Sequence, residues 1–350
     1  MFPRNLHGGI TIKISFIGFG SDRCGGVRVL FEVMNGLAVK GHDVSYLALA
    51  NQNWFNLKVP VTVCKNPQDL QNAIPESDIV VATWCATAPI VDSIKGVKGV
   101  PAYYCQHHEP IFFFTPEEQK FVESTYRLNT NYIVNSPWLQ QILKEKYGQE
   151  STLIVPGVDS HVFTKNPTLN SKEMPKSETD APLKILAFAS MTPFKGFYDT
   201  VLPAFNFVHR ALGKKVEFHI YGNLDPSIKY PVPIFSHNNL TDPQLAELYR
   251  SCDLFVSGSW AESSPLPHLE SMASGLPVVC TEYGTEHYGE ALVRVKPRAP
   301  RLLGETILQV LENVELRTKM SVLGAESVKQ FTWQNTVTQA EQYFKNLIGE

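Results

Sequence analysis

Short apolar runs alternate with amphipathic stretches along the whole chain. The apolar runs have the length of β-strands, and apolar residues recur at helical spacing in most of the stretches that follow them. Strands buried on both faces, with a helix after each, produce this pattern. For the first half we predict strands at residues 13–17, 43–47, 79–82, 102–105 and 132–134, with helices at 26–40, 67–73, 87–95, 116–127 and 136–147. The pattern is typical of a parallel α/β sheet.

The second half repeats the alternation. The predicted strands are residues 184–189, 216–221, 233–235, 253–257, 277–280 and 292–295, and the predicted helices are 198–212, 242–251, 266–274, 301–313 and 316–331. Between the halves, residues 164–182 are polar, contain proline and have few large apolar side chains, which is typical of a linker. A last amphipathic stretch at 333–347 predicts one further helix. The sequence therefore predicts two parallel-sheet domains in one chain.

Composition narrows the class of protein. A chain of 350 residues with 43% hydrophobic and 19% charged residues is long enough for two cores and fits a globular protein. A net charge of −3 gives no sign of a nucleic-acid partner. Six cysteines without C-x-x-C spacing favour free thiols in the cytoplasm. The N-terminal stretch predicts a strand and a glycine turn rather than a signal peptide.

Two glutamates stand out in the segment 261–279, AESSPLPHLESMASGLPVV. Glu262 follows a predicted strand, and Glu270 lies in the first turns of the next predicted helix. Ligands of open α/β sheets bind at this carboxyl edge, and a helix N-terminus offers backbone N–H groups to an anion. A carboxylate in the helix is placed to accept hydrogen bonds from the paired hydroxyls of a ribose. The segment therefore predicts a site for a nucleotide joined to a polar group.

The same segment resembles the E-x7-E motif of the retaining nucleotide-sugar glycosyltransferases of family four. The family pattern is roughly E-S-F-G-L-x-x-L-E-A-M-A-x-G-x-P-V-V, and the matching residues here are Glu262, Ser263, Leu266, Leu269, Glu270, Met272, Ala273, Gly275, Pro277, Val278 and Val279. Ser264 and Pro265 stand where the family has Phe-Gly. The resemblance implies the GT-B fold, an α/β architecture of two doubly wound Rossmann-like domains that face a cleft.

The resemblance also implies a division of the chain. We expect an N-terminal acceptor domain at residues 1–163, the linker at 164–182 and a nucleotide-sugar donor domain at 183–331. Residues 332–350 are then the C-terminal helix, which in the family returns to the N-terminal domain.

Roles for the donor side follow from the resemblance. Glu270 is expected to hold the ribose hydroxyls, Glu262 to lie beside the transferred sugar, and Lys195 to neutralise the diphosphate. The family usually has G-R-L-x-x-x-K-G where this chain has ASMTPFKG at 189–196, so Ser190 takes the position of an arginine. The expected donor-binding residues are Gly25, Gly26, Lys195, Gly222, Glu262, Ser263, Ser264, Pro265, Leu266 and Glu270.

A glycine-rich turn follows the first predicted strand. It contains GFG at 18–20 and the pair Gly25-Gly26, but the dinucleotide fingerprint G-x-G-x-x-G fails because Arg23 takes the third glycine position. In the resembled family a Gly-Gly here lets the backbone approach the donor phosphate or the acceptor. A tight turn that needs positive φ is the alternative interpretation.

Residues 106–110, QHHEP, follow another predicted strand. In many family members a histidine at this position reaches the sugar or the acceptor, so we expect His107 to be catalytic, with Glu262 and Lys195, and we place His107, His108 and Glu109 on the acceptor side. A metal site is the alternative, but adjacent residues of an extended chain point to opposite sides. Because the sequence contains no Asp-x-Asp, we expect no metal.

The interpretation is therefore a retaining, metal-independent glycosyltransferase of the hexosyl or deoxyhexosyl class, active in polysaccharide biosynthesis. It would use a nucleoside-diphosphate sugar and a hydroxyl of a glycan or lipid-linked saccharide, without a cofactor, and peripheral membrane association is left open. A nucleotide-sugar epimerase or hydrolase of the same fold is the main alternative. An NAD(P)-dependent oxidoreductase is less favoured because of the broken fingerprint, and Ser190 leaves open a catalytically silent sugar-binding protein.

Overall fold

The computed structural model describes residues 10–20, 23–51, 54–165 and 181–350, which form two compact units. The first unit comprises the described residues up to Gly157 together with Trp333–Glu350. The second comprises the described residues of Val158–Thr332. Most of the predicted linker, residues 166–180, lies outside the described part of the chain.

The first unit is built on a seven-stranded parallel sheet. Its strands are β1 (Lys13–Ile17), β2 (Asp43–Ala48), β3 (Val61–Val63), β4 (Ile79–Ala82), β5 (Val100–Cys105), β6 (Asn131–Val134) and β7 (Ser151–Leu153). They lie in the order β3-β2-β1-β4-β5-β6-β7. The central strands β1 and β4 are almost wholly buried, which explains why they are apolar at nearly every position.

Helices follow most of these strands. They are α1 (Gly25–Val39), α2 (Pro67–Ala73), α3 (Ala88–Ser93), α4 (Pro116–Thr125) and α5 (Pro137–Tyr147). Several begin at a polar cap followed by proline: Thr115 and Glu118 form a capping box at α4, and the Ser136 side chain accepts from the backbone at the start of α5. Helix α5 ends at Gly148, whose φ is 71°.

The second unit has a six-stranded sheet, also parallel throughout. Its strands are β8 (Leu183–Ala189), β9 (Val216–Gly222), β10 (Ile234–His237), β11 (Leu254–Val256), β12 (Val278–Thr281) and β13 (Leu292–Val295). Their order is β10-β9-β8-β11-β12-β13. The helices are α6 (Leu202–Leu212), α7 (Asp242–Ser251), α8 (Leu266–Ala273), α9 (Pro300–Glu312) and α10 (Val314–Ser327).

Both sheets reverse their strand order once, and these reversals mark where ligands bind in such folds. In the first unit the reversal lies between β1 and β4, and in the second it lies between β8 and β11. The loops after β8 and β11 therefore leave the sheet side by side at its carboxyl edge. These loops contain Lys195 and Glu262.

Most predicted elements are confirmed, and the differences have local causes. Strands β1, β4 and β13 and helices α2 and α7 have the predicted bounds. Strands β3 and β7 are missing from the prediction because each has only three residues and lies at a sheet edge. The predicted helix at 198–212 begins as a π-helical turn, Phe197–Val201, before α6.

The last helix, α11 (Trp333–Leu347), packs against α1 in the first unit. The ring of Phe344 lies edge-on to that of Phe16, with 6.2 Å between centroids. Glu341 accepts from Lys40 Nζ at 2.7 Å and lies 3.3 Å from His42 Nε2. These apolar and charged contacts tie the C-terminal segment to the first sheet.

The boundary between the units differs by a few residues from the predicted one. Residues 158–163 group with the second unit, not the first. Val158 N donates to Phe331 O at 3.0 Å, and the Phe163 ring lies 6.0 Å from that of Tyr249. Pairing and packing, rather than the polar composition of the following segment, set the division here.

No helix in the described part of the chain is long and apolar enough to cross a bilayer. All six cysteines lie within the described ranges, and their thiols are free.

The contact between α1 and α11 yields a stability prediction. A Cβ at Gly36 would lie 2.2 Å from Val337 Cγ2, whose branched side chain has little freedom to move. Helix propensity favours Gly36→Ala by up to about 1 kcal/mol, but overpacking of this kind typically costs on the order of 1–3 kcal/mol. We expect Gly36→Ala to lower the denaturant midpoint, followed by circular dichroism. Adding Val337→Ala should recover part of the loss, and a Gly36→Ala protein as stable as the wild type would contradict this packing.

Candidate functional site

A partly buried ion pair joins the loops after β8 and β11. Lys195 Nζ lies 2.8 Å from Glu262 Oε1 and 3.0 Å from Oε2. Ser259 Oγ donates to Glu262 Oε1 at 2.6 Å. Glu262 is only 7% exposed, so its carboxylate depends on these donors in place of water. The pair sets a fixed cation and a fixed anion at the point where the strand order reverses.

Two glycines allow the backbone of this site to come together. Gly196 has φ 65°, and a Cβ there would lie 1.9 Å from Gly258 O in the loop after β11. Gly284, in the loop after β12, has φ 74°, and its Cβ would lie 1.6 Å from Glu262 O. Any side chain at either position would both strain the backbone and push the loops apart.

The segment that leads from Glu262 into α8 is held by the loop after β12. Glu262 N donates to Tyr283 O at 3.3 Å, and Ser264 N donates to Gly284 O at 3.2 Å. Ser264 has φ 52°, in the left-handed region. The next residue, Pro265, has the negative φ that its ring requires, and it is the N-cap of α8, which begins at Leu266. Where the resembled family has Phe-Gly, this chain has Ser264-Pro265, and the left-handed residue is the serine.

The side chain of Ser264 has a partner that the sequence did not suggest. Ser264 Oγ lies 2.9 Å from His287 Nε2, and burial lowers the pKa of His287 to about 4, so the imidazole is neutral at neutral pH. Arg294 holds the same loop by donating to Thr285 O at 2.6 Å and Gly289 O at 2.7 Å. Ser264 therefore contacts a loop that hydrogen bonds from Arg294 hold in place.

Glu270 lies in α8 and has a separate set of partners. It is 7% exposed, and its Oε2 accepts from the hydroxyl of Tyr249 at 3.1 Å. The Tyr249 hydroxyl lies 2.8 Å from that of Tyr221 at the end of β9, next to Gly222. Burial raises the pKa of Tyr249 well above its usual value, so this phenol keeps its proton. One carboxylate oxygen is thus oriented by a buried tyrosine pair.

In the first unit, the predicted residues lie at the carboxyl edge of its sheet. Gly25 and Gly26 begin α1, and the side-chain amide of Gln106 donates to Gly26 O at 2.9 Å. His107 is mostly buried among aromatic rings, 5.1 Å from the centroid of Phe112 and 5.8 Å from that of Trp138. The histidine predicted to be catalytic therefore packs against the rings of Phe112 and Trp138.

His108 and Glu109 turn into the protein. His108 Nε2 lies 2.8 Å from the Tyr147 hydroxyl, and burial lowers the pKa of this histidine to about 4. Glu109 is 2% exposed; its Oε2 accepts from Cys85 N at 2.7 Å and its Oε1 from the Tyr103 hydroxyl at 2.9 Å. Both oxygens already serve protein donors, so Glu109 has the geometry of a buried structural carboxyl rather than of a surface for an acceptor.

Within the second unit the structure brings Lys195, Glu262 and residues 263–266 together, with Glu270 on the helix that follows. Gly25, Gly26, His107, His108 and Glu109 belong to the first unit. Sequence reasoning missed the supporting residues Ser259, Tyr221, Tyr249, His287 and Arg294. Only Ser259 and Tyr221 carried a usable signal, because each follows or ends a strand at the carboxyl edge.

In the described residues, no group of three or more histidine, cysteine, aspartate or glutamate side chains is arranged to hold a metal ion. The site offers an ammonium, carboxylates, hydroxyls and a helix N-terminus. These groups suit a ligand that carries both an anionic part and several hydroxyls.

Comparison with known proteins finds a family model that matches part of the second unit. Residues 182–313 match the family model "Glycosyl transferases group 1". The O-antigen biosynthesis protein RfbC of Myxococcus xanthus is 24% identical over 297 residues, covering 83% of this chain and 22% of that protein. D-inositol 3-phosphate glycosyltransferase of Paenarthrobacter aurescens is 26% identical over 250 residues, covering 66% of this chain and 60% of that protein. The chain thus spans less than two thirds of the length of these relatives.

Solved structures share the whole fold. HepE of Anabaena, in complex with UDP, has a TM-score of 0.78 at 14% identity and covers 96% of this chain and 100% of its own. WaaG, a glycosyltransferase involved in lipopolysaccharide biosynthesis, has a TM-score of 0.69 at 16% identity, with coverages of 96% and 100%. At such identities the likeness concerns the fold alone, and it confirms the predicted GT-B class.

The buried Glu109 predicts a pH-dependent stability. Burial raises its pKa to about 7, whereas an unfolded glutamate titrates near 4.3. Between these values the folded state keeps a proton that the unfolded state has lost, so stability falls as pH rises through this window, by on the order of 3 kcal/mol in total. Glu109→Gln should remove this loss, because the amide oxygen can still accept from Cys85 N. We expect the variant to gain on the wild type in melting temperature between pH 5 and pH 8.

The matched control is Glu76→Gln, which changes an exposed glutamate of the same unit. This control should follow the wild type at every pH. Parallel melting curves for wild type and Glu109→Gln would show that Glu109 does not hold its proton in the folded state.

Proposed function

We propose that this chain is a glycosyltransferase, because residues 182–313 match the family model of group 1 glycosyl transferases. It transfers a sugar from a nucleoside-diphosphate sugar to a hydroxyl of a glycan or lipid-linked saccharide. The observation that carries the proposal is the partly buried Lys195–Glu262 pair, which lies at the strand reversal of the unit that contains the matched segment. Taking charges out of water has a cost even when they are paired, so a charge pair at this position favours a role in binding over a purely stabilising one.

Lys195 is the cation for the donor diphosphate. When the nucleoside diphosphate leaves, negative charge develops on its ester oxygen, and a preorganised cation stabilises that charge. Ser190 gives no such help: its hydroxyl accepts from Thr192 N at 3.2 Å and so shapes the loop. Lys195 is the only basic residue of the loop 190–196, and its contact with Glu262 holds it in place before the donor arrives.

The two glutamates divide the rest of the donor between them. Glu270, oriented by Tyr249, accepts hydrogen bonds from the ribose hydroxyls. Glu262 lies beside the transferred sugar, and the backbone of residues 263–266 together with the N-terminus of α8 faces the sugar and the phosphate. The reduced exposure of this segment makes each of these polar contacts stronger than it would be in water.

The transfer keeps the configuration of the sugar in this proposal. The bond between the anomeric carbon and the diphosphate oxygen breaks, and a bond to the acceptor oxygen forms on the same face. The acceptor proton passes to the departing diphosphate, so no carboxylate nucleophile and no metal are required. His107 serves the acceptor side, and the backbone at Gly25 and Gly26 serves the donor.

The names of similar proteins support this choice of substrates. RfbC is named for O-antigen biosynthesis, and a mannosyltransferase of the O-antigen chain of Escherichia coli is 34% identical over 108 residues, covering 30% of this chain. HepE has been solved with UDP-glucose as well as UDP. A nucleotide sugar and a growing polysaccharide are therefore the substrates to test first.

Substitutions should separate binding from turnover. Glu270→Ala removes the acceptor for the ribose hydroxyls, so calorimetry should show weaker binding of the nucleoside diphosphate. Lys195→Ala removes a preorganised charge, and we expect turnover at saturating donor to fall on the order of 10²–10³-fold. Glu262→Gln keeps the shape of the side chain but removes its charge, and it should mainly lower turnover.

Each variant is checked for folding by circular dichroism, and donor is also incubated without acceptor. Consumption of donor alone at the full rate would indicate an epimerase or a hydrolase. Binding by Glu270→Ala equal to wild type, together with full activity of Lys195→Ala, would overturn the site assignment.

Metal independence is tested with a chelator. Because Lys195 and a helix N-terminus already supply positive charge to the diphosphate, we expect the transfer rate to be the same with and without EDTA. Loss of activity in EDTA that Mn²⁺ or Mg²⁺ restores would show that a cation completes the site. A parallel incubation of wild type with added Mg²⁺ and no chelator serves as the reference rate.

A further inference from the structure

Phe188 is exposed at a place where a parallel sheet is normally covered. It lies near the carboxyl end of β8, a central strand that pairs with β9 on one side and β11 on the other. Helices cover both faces of such sheets, and the preceding residues Leu186 and Ala187 are fully buried. Phe188 is nevertheless 36% exposed. Phe188 therefore presents part of an aromatic ring to solvent at the edge that contains Lys195 and Glu262.

A row of contacts connects this ring to Glu270. Phe188 pairs in register with Tyr221 of β9, so both side chains leave the same face of the sheet, and their ring centroids are 5.3 Å apart. The Tyr221 hydroxyl lies 2.8 Å from that of Tyr249, which lies 3.1 Å from Glu270 Oε2. A row of side-chain contacts through the buried Tyr249 therefore links the exposed ring to the Glu270 carboxylate.

Gly222 leaves the edge of the Phe188 ring uncovered. It has φ 99°, and a Cβ there would lie 2.7 Å from Phe188 Cε2 and 2.3 Å from Ala189 O. The absence of a side chain lets the end of β9 turn away directly beside the ring. A larger residue would take the space at the ring edge.

We propose that Phe188 is the stacking platform for the nucleobase of the donor. This inference rests on the proposed function, in which Glu270 holds the ribose of the same nucleotide. A base is joined directly to its ribose, so the base of a nucleotide held at Glu270 lies close to that residue. Phe188 supplies a flat apolar ring at the other end of the row of contacts that starts at Glu270. Every base has a π face, so the ring contributes affinity rather than selection of one base.

The test measures binding to wild type and to three variants by calorimetry. The ligands are UDP, GDP and ADP, with inorganic pyrophosphate as the reference that lacks a base. Phe188→Leu keeps an apolar side chain but removes the ring, and Phe188→Tyr restores a ring. The matched control is Phe235→Leu, since Phe235 is 46% exposed on β10 at the edge of the same sheet.

We expect Phe188→Leu to bind each diphosphate that the wild type binds on the order of tenfold more weakly, in line with the usual contribution of base stacking. Pyrophosphate binding should not change. Phe188→Tyr and Phe235→Leu should bind like the wild type.

The outcomes separate this inference from the function on which it rests. Wild-type affinity in Phe188→Leu, or an equal loss for pyrophosphate, would overturn the stacking role while leaving the nucleotide site intact. Failure of the wild type to bind any of the three diphosphates would overturn the proposed function, and the stacking role with it.

Discussion

The site depends on the attraction between Lys195 and Glu262. A carboxylate as buried as Glu262 is stable only with close donors, and Lys195 and Ser259 are its donors at 3.0 Å or less. Because the lysine follows β8 and the glutamate follows β11, the pair draws two loops together at the strand reversal. Removing Lys195 would take away the cation that lies 2.8 Å from the Glu262 carboxylate, which is itself 7% exposed. The charges that suit a diphosphate sugar therefore also hold the site in shape.

The backbone around the pair is built for close approach. Gly196 and Gly284 occupy positions where a Cβ would overlap a neighbouring carbonyl oxygen. Ser264 accepts a left-handed conformation and gains a contact with His287 in exchange. These features cost conformational energy, and such costs are typical of sites where binding requires an exact backbone. Ser264 and Pro265, which stand where the resembled family has Phe-Gly, thus form the turn between Glu262 and the start of α8 at Leu266.

The first unit places its polar groups differently. His107 lies against Phe112 and Trp138, whereas Glu109 is enclosed by donors from Cys85 and Tyr103. Two residues only two positions apart thus have different surroundings: His107 lies among aromatic rings at the sheet edge, and Glu109 is buried in the core with hydrogen-bond donors at both carboxyl oxygens. The buried acid is tolerated because every oxygen is paired and because burial keeps it protonated up to about neutral pH.

The sequence by itself determined the two parallel sheets and the bounds of most elements. It also determined that Lys195 and Glu262 lie in loops that follow strands and that Glu270 lies in the next helix. These features follow from local periodicity and caps, which are encoded within a few neighbouring residues. Only the tertiary structure decided that Lys195 meets Glu262, that Tyr249 orients Glu270, and that Glu109 is enclosed. Each of these contacts joins residues on different elements, and strand order and packing select such partners. The periodicity of the sequence does not specify which strand ends become neighbours in the sheet.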